Sequence, residues 1–253
     1  PANAHWGLAV TSMQVQSTGL RLSVTGRGPA RSLTSEFDLP VTGRHNADNA
    51  MTVAACMLAM KVDPAAVAHA LAEFSLPPGR MEMIARDDAP LVCIDYAHSP
   101  EALQCVLEAL RPLAQQRHGD LFCVVGCGGD RDPGKRPLMG KVLAALVDGA
   151  TLTSDNPRSE SPDVIVQAIA SGFSQQPPRG VVVELDRAAA IAATIAACRS
   201  QDVVLIAGKG HETVQEIAGI RIPFSDTAHA RQALDAWQTR RTDLQAGRHH
   251  APA

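Results

Sequence analysis

Aromatic side chains are scarce: two Trp, one Tyr and five Phe make up 3% of 253 residues. With Ala and Val abundant, that argues against a β-sandwich and for helices packed on a buried sheet. Positive charge is not in excess either. Lys and Arg number 23 against 26 Asp and Glu, a formal charge of −3, so no basic field is available to hold nucleic acid or an anionic membrane. No apolar run approaches the roughly eighteen residues of a membrane helix, and the N-terminus has no charged-then-apolar signal segment. The six cysteines are scattered, mostly inside apolar runs, and read as reduced core thiols. Cys123 and Cys127 have no second ligand pair nearby, so packed thiols are favoured over a zinc site. A cytoplasmic protein without membrane insertion is the expectation.

Several catalytic signatures are missing. Gly126-Cys127-Gly128-Gly129 follows an apolar run, but Arg131 stands where a dinucleotide fingerprint needs its third glycine. That disfavours a nicotinamide dehydrogenase. Gly208-Lys209-Gly210 resembles a phosphate loop only superficially, because G-x-x-x-x-G-K-[ST] occurs nowhere. No G-x-S-x-G elbow exists, which counts against a serine hydrolase.

What is present is a regular alternation. Candidate strands Leu91–Asp95, Leu121–Val125, Ala150–Ser154, Val181–Leu185 and Val203–Ala207 are nearly continuous apolar runs, as a sheet covered on both faces requires. Helical stretches lie between them. Ser99-Pro100 and Ser161-Pro162 each place a capping hydroxyl before a first-turn proline, and Asp186 caps the Ala-rich 187–199 stretch. The pattern predicts a doubly wound, mainly parallel α/β sheet. A hairpin (213–217, 220–224), a helix from Thr227 to about Arg240 and a disordered tail after Asp243 complete it.

The first eighty residues read as an antiparallel meander (8–10, 13–16, 20–24, 33–37) followed by helices. Ala50–Met60 is apolar on nearly every side and expects cover all round. Asp63-Pro64 caps a second helix over 65–74. Too few strands are present to cover the first helix, so the chain is expected to be a piece of something longer, lacking its N-terminal part.

Four polar clusters directly follow four of the five strands: DYAHSP (95–100), GCGGDRDPGKR (126–136), SDNPRSE (154–160) and GKGHE (208–212). Loops at the carboxyl ends of strands line the ligand crevice of an open α/β sheet. The groups gathered there suit a ligand with both anionic and cationic parts.

Together with GRHNADNAMTVAA (43–55) and PPGRMEMI (77–84), these clusters stand in an order that resembles the Mur ligase family, in its diaminopimelate-adding branch, over about residues 8–240. The resemblance implies a remnant of the P-loop-type central ATP-binding domain (antiparallel strands plus helices) over 1–82. It implies a Rossmann-like amino-acid-binding domain over 83–243 and a disordered tail over 244–253. The family's phosphate loop, carbamylated lysine and UDP-substrate domain have no counterpart in this sequence. The implied activity is ATP- and Mg²⁺-dependent addition of meso-diaminopimelate to UDP-MurNAc-L-Ala-D-Glu through an acyl phosphate, in peptidoglycan precursor synthesis. The chain by itself is expected to be inactive and monomeric.

By resemblance, Arg80 reaches the ATP phosphates, Asn46 and Asn49 lie near the adenine, and Asp95, Tyr96 and His98 lie on the nucleotide side. Arg80, Asp95 and His98 would act in catalysis. Taken alone, Asn46 and Asn49 would read as helix caps, and Asn46 could serve in both roles. Lys135 and Arg136 read almost as well as a solvated helix start, and His211 is unassigned. Arg158 and Arg131 would pair with the carboxylate on the distal stereocentre of diaminopimelate, for which a guanidinium fork is suited. Asp155, Asn156, the Gly208 carbonyl and Glu212 would hold the distal ammonium. The competing readings are a lysine-adding or folylpolyglutamate-type ligase of the same family and a non-catalytic amino-acid-binding module.

Overall fold

The computed structural model describes residues 7–16, 19–28, 35–41, 43–173 and 178–248. They form two compact units, Pro1–Leu76 and Pro77–Ala253. The division precedes the expected 82/83 boundary because the 77–82 segment is tied to the second unit. The Met81 amide donates to Asp95 Oδ2 at 2.8 Å, and Thr227 Oγ1 donates to Glu82 Oε2 at 3.4 Å.

In the first unit β1 (Gly7–Gln16), β2 (Gly19–Arg27) and β3 (Ser35–Leu39) form an antiparallel sheet in that order. The two runs expected as separate strands, 8–10 and 13–16, are one strand whose register shifts between Val10 and Ser12. An extra residue in one strand produces such a shift without ending the pairing. Leu33, expected to open the third strand, lies outside the described residues. Helices α1 (Arg44–Ala59) and α2 (Pro64–Ala72) follow. Ala47, Ala50, Met51, Ala54 and Leu58 of α1 recur at helical spacing and pack with Leu20, Leu22, Val24 and Leu39. The strands of this unit cover only that face, as expected from their small number: Val53 is 53% exposed and Cys56 is exposed. Alanines and two short β-branched side chains make the remaining face only mildly apolar. Asp63 caps α2 by accepting from the Ala65 and Ala66 amides. Asn46 is no cap: it is buried in the first turn of α1, and Gly43 holds the cap position.

The second unit runs β4 (Glu82–Ile84), β5 (Leu91–Asp95), α3 (Pro100–Gln116), β6 (Leu121–Val125), α4 (Lys135–Leu146), β7 (Gly149–Leu152) and α5 (Pro162–Ala170). It continues with β8 (Gly180–Val183), α6 (Arg187–Ala197), β9 (Val203–Ala207), β10 (Val214–Ile217), β11 (Ile220–Pro223) and α7 (Asp226–Arg248). The main sheet has the order β4-β5-β9-β6-β7-β8. All its pairs are parallel except β4 with β5. Val92, Ile94, Val124, Val204 and Ile206 point to the face where Ala190, Ile191 and Ile195 of α6 meet Ala230, Leu234 and Trp237 of α7. Residues of the other parity, Cys93, Cys123 and Leu205, are equally buried. Helix α3 packs on β6 and β9, and α4 packs on α3 and α5. Burial on both faces accounts for the unbroken apolar strands. The chain passes from β5 to β6 over the place that β9 later fills, and the winding reverses there. Loops at such a reversal open a crevice at the carboxyl edge.

Ser99 and Asp186 cap α3 and α6 as expected, through the Ala102 and Ala189 amides. Ser161 sits at the cap position of α5 with Pro162 at the first helical position, but its hydroxyl makes no capping bond, which corrects the expected cap. The expected tail is helical as far as Arg248, because α7 continues past Arg240. Residues 249–253 lie outside the described set. Among the described residues no helix is long and apolar enough to cross a membrane.

One buried ion pair ties the carboxyl edge together. Arg187, the first residue of α6, donates through Nε and Nη2 to both carboxylate oxygens of Asp226, the first residue of α7, at 2.8 and 2.7 Å. Its Nη2 also donates to the Ala207 carbonyl at the end of β9 at 2.9 Å, and Nη1 to the Ser154 carbonyl just past β7 at 3.3 Å. Both side chains are 0% exposed. A guanidinium carries enough donors to satisfy a carboxylate and two strand-end carbonyls together.

Two outcomes follow from this packing. Removing one partner of a buried ion pair typically costs about 3–5 kcal/mol. Asp226→Ala should therefore lower the unfolding free energy by about that much in denaturant titration, and a loss below about 1 kcal/mol would mean that the pair is not structurally important. The second outcome concerns thiols. All six cysteines are free; Cys56 and Cys105 are exposed, and Cys93, Cys123, Cys127 and Cys198 are buried. This corrects the expectation that Cys56 and Cys105 are packed. On α3, Leu103, Val106, Leu107 and Leu110 face inward and leave Cys105 on the outer side. Burial raises the pKa of the Cys93 and Cys123 thiols and pushes Cys198 up to about 12. Native alkylation followed by mass spectrometry should label Cys56 and Cys105 quickly, with the other four reacting only after unfolding. Fast native labelling of Cys123 would contradict the burial.

Candidate functional site

The loops after β5, β6, β7 and β9 converge at the carboxyl edge, and the hairpin β10–β11 grips the β7 loop by its main chain. The Arg158 amide donates to the Glu216 carbonyl at 3.2 Å, and the Ala218 amide donates to the Arg158 carbonyl at 2.8 Å. Gln215 Nε2 donates to the Asp155 carbonyl at 2.8 Å, and the Glu216 amide to Asn156 Oδ1 at 2.9 Å. Arg158 itself has φ 53°, an uncommon conformation for a non-glycine residue. A parallel bridge between Arg158 and Ile217 holds it there.

Asp155, Asn156, Gly208 and Glu212 are brought together, with a residue that sequence reasoning did not assign. Lys209 is 0% exposed. Its Nζ donates to Asn156 Oδ1 at 3.0 Å and Glu212 Oε2 at 2.9 Å, and lies 3.8 Å from Asp155 Oδ1. Asn156 Nδ2 donates to Glu212 Oε2 at 2.8 Å. The Asn156 amide is thus engaged inside the cluster. The Asp155 carboxylate accepts no hydrogen bond among the described residues; Lys209 Nζ forms its ion pair at 3.8 Å. Burial raises its pKa, against the pull of Arg187 and Lys209. Burial acts on Glu212 in the same sense, but hydrogen bonds from Lys209 and Asn156 and the Lys209 and Arg158 charges outweigh it, leaving a net lowering. Gly208 has φ +114°, and a Cβ there would sit 2.4 Å from Asp155 Oδ2. Only glycine permits that approach.

The β6 and β7 loops interlock beside this cluster. Ser159 Oγ donates to Asp130 Oδ1 at 2.6 Å, and the Gly129 amide donates to the Asn156 carbonyl at 2.9 Å. Arg136 is 2% exposed and forks onto both oxygens of Glu160, at 2.8 Å each. It is therefore not part of a solvated helix start; it fastens α4 to the β7 loop. Arg158 Nη1 donates to the Gly129 carbonyl at 2.6 Å, and its other guanidinium nitrogens have no hydrogen-bond partner among the described residues. Arg131 is exposed and likewise lacks such a partner. A Cβ on Gly128 would lie 3.0 Å from Arg158 Nη1 and 3.8 Å from Arg131 Cγ, so both arginines border the same loop.

A third group forms around Tyr96. The Arg80 guanidinium lies 4.8 Å from the Tyr96 ring centroid, within cation–π range. His98 and His211 stand 4.8 and 5.6 Å from the same ring, which gives His211 a place beside the other three. Asp95 is 5% exposed, and its carboxylate accepts from the amides of Met81 and Ala97 at 2.8 and 2.7 Å. It shapes the turn that carries Arg80 and does not face solvent with it. Lys135 Nζ donates to the His98 carbonyl at 2.7 Å. A Cβ on Gly79 would fall 2.1 Å from the His211 nitrogen, so the 77–80 turn packs directly on the GKGHE loop. Asn46 and Asn49 belong to the first unit, Asn46 buried and Asn49 exposed.

Comparison with known proteins places this geometry. The family described as "Mur ligase, glutamate ligase domain" matches residues 79–210. A protein from Acidovorax sp. (strain JS42) named UDP-N-acetylmuramoyl-L-alanyl-D-glutamate–2,6-diaminopimelate ligase is 49% identical over 217 residues, 86% of this chain and 42% of that protein. One of the same name from Ralstonia nicotianae is 43% identical over 92% of this chain and 44% of its own length. A solved structure with that name superposes with a TM-score of 0.62 at 33% identity, covering 94% of this chain and 47% of the other. The UDP-N-acetylmuramate-alanine ligase of Thermotoga maritima shares the fold, with a TM-score of 0.65 at 19% identity. The chain spans less than half the length of these relatives. An α/β edge with interlocked arginine and carboxylate loops, matched by this family over half the chain, supports one conclusion: the chain belongs to the Mur ligase family.

Proposed function

We propose that this chain is the amino-acid-binding part, and a portion of the nucleotide site, of a cytoplasmic ATP-dependent ligase. The proposed reaction joins meso-diaminopimelate to UDP-MurNAc-L-Ala-D-Glu in peptidoglycan precursor synthesis. One observation carries the reading. Two arginines with unused donors, Arg158 and Arg131, border Gly128 at the carboxyl edge, and on the same edge a buried carboxylate, Asp155, accepts no hydrogen bond among the described residues. The distal end of diaminopimelate carries a carboxylate and an ammonium on one carbon and answers both needs. Lysine has the ammonium alone.

In this reading the guanidinium of Arg158 takes the distal carboxylate, and Arg131 adds a second cation from the neighbouring loop. Asp155, the Gly208 carbonyl and the Glu212 oxygen not used by Lys209 accept from the ammonium. Holding both groups of the distal carbon leaves the other amine of the amino acid to be placed for attack on an activated carboxyl, and such placement supplies much of the acceleration in bimolecular steps. Bound ATP would supply the phosphoryl group that activates the carboxylate of the nucleotide-linked substrate. Arg80 and His98 are exposed beside Tyr96 and suit anionic phosphates, with Asp95 holding the Arg80 turn. Asn46 and Asn49 are the proposed adenine-side contacts. Magnesium would offset phosphate charge. No group of three or more His, Cys, Asp or Glu gathers as a metal site among the described residues, so none here is assigned to hold it.

The test is kcat/KM for meso-diaminopimelate and for lysine in the full-length ligase, before and after Arg158→Ala. Truncating one member of a desolvated charge pair costs about 2–5 kcal/mol, some thirtyfold or more. Diaminopimelate usage should fall by at least that factor with the KM for ATP nearly unchanged. Lysine, a poor substrate from the start, should change little. Equal losses for both amino acids would make Arg158 a support of the loop and sink the reading.

A further inference from the structure

Lys209 lies in a glycine-rich loop after a strand, where a lysine is ordinarily read as a phosphate ligand. Its surroundings exclude that use. The ammonium is fully buried, its two hydrogen-bond acceptors are Asn156 Oδ1 and Glu212 Oε2, and Asp155 Oδ1 lies 3.8 Å away. All three belong to the proposed amino-acid pocket. A cation so held cannot extend to a nucleotide without giving up both hydrogen bonds and its place beside two carboxylates.

The charges around it can be counted. Arg187 and Asp226 neutralise each other beneath the strand ends. Asp155 and Glu212 carry two negative charges in the pocket, and Lys209 supplies one positive charge between them. One negative charge is left over, the complement of one ligand ammonium. Arg158 also acts on Glu212, but the proposed function commits it to the ligand carboxylate.

Geometry adds to charge. Lys209 Nζ bonds Asn156 of the β7 loop and Glu212 of the β9 loop at once, reinforcing the direct Asn156–Glu212 bond. The Asn156 amide then spends its oxygen on Lys209 and the Glu216 amide, and its nitrogen on Glu212. These bonds leave Glu212 Oε1 without a hydrogen bond among the described residues and open to a ligand.

We infer that Lys209 is the positioning residue of the amino-acid pocket: it locks Asn156 and Glu212 together and balances one of the two pocket carboxylates, so that a single ligand ammonium completes the cluster. It touches neither substrate. The inference rests on the proposed reading of the pocket.

The experiment uses the full-length ligase, comparing wild type, Lys209→Met and the double variant Lys209→Met/Glu212→Gln. Steady-state kinetics with meso-diaminopimelate and with ATP are followed from about pH 6 to 9, and thermal stability is recorded beside them. Methionine keeps the length of the side chain and removes the charge. Lys209→Met should lower kcat/KM for diaminopimelate by about thirtyfold or more, as for loss of one partner of a desolvated pair. The KM for ATP should stay within about twofold, which a phosphate-binding lysine would not allow. Without the cation, Asp155 and Glu212 take up protons more readily, since a neighbouring positive charge favours the ionised carboxylate. Their ionised forms are then restored only as pH rises, so the deficit should shrink toward high pH. The double variant regains the single net negative charge and should recover thermal stability lost in the single variant.

A deficit below threefold would overturn the inference. So would a deficit independent of pH, or one falling on ATP. If Lys209→Met does not fold, the double variant decides: failure to regain stability rejects charge balance as the role. Failure of the pocket reading is recognised separately, because Arg158→Ala would then spare diaminopimelate whatever Lys209 does.

Discussion

Everything at the carboxyl edge depends on how strand ends that are not neighbours are held level. Ser154 follows β7 and Ala207 ends β9, with β6 between them. The Arg187 guanidinium bonds both carbonyls and is neutralised by Asp226. Asp155 follows Ser154, and Gly208 follows Ala207. The pocket carboxylate and the pocket carbonyl therefore stand one residue from the groups that the buried ion pair anchors. A pair of this kind is an expensive way to gain stability, since both charges are desolvated. Its value here lies in register: α6, α7, β7 and β9 meet at one planar group.

Above that anchor the site is organised as a mixture of satisfied and unsatisfied polar groups. Arg136–Glu160, Asp130–Ser159 and Lys209–Asn156–Glu212 bond to one another and lock the loops. Arg158, Arg131 and the Asp155 carboxylate keep unused capacity. Such capacity is costly when buried, which is why it is confined to few atoms and surrounded by bonds that prevent collapse. The proposed ligand is defined by what those atoms lack: an anion on the arginine side and a cation on the aspartate side.

Much of this was legible in the sequence, for identifiable reasons. The strands 91–95, 121–125 and 203–207 coincide with β5, β6 and β9, because a sheet covered on both faces permits only apolar runs. The four clusters sit at the carboxyl edge because polar residues are excluded from such strands and accumulate where they end. Other features were hidden by distance along the chain. Nothing local to Arg187 indicates that it leaves its helix face for Asp226, 39 residues away. Arg136 looked solvated because its partner Glu160 comes from another loop. Lys209 drew no role from the sequence, because its partner Asn156 lies 53 residues away and only the fold brings the two together. Cys105 illustrates the reverse error: an apolar helical segment was read whole, although a helix buries only one of its faces.

The central claim is that this edge recognises a carbon bearing both a carboxylate and an ammonium. The most direct measurement is a crystal structure of the full-length ligase with meso-diaminopimelate bound. The account predicts the distal carboxylate on the Arg158 guanidinium, the distal ammonium against Asp155, and Lys209 still bonded to Asn156 and Glu212. An amino acid bound away from Arg158, or with its ammonium directed at the arginines, would contradict it.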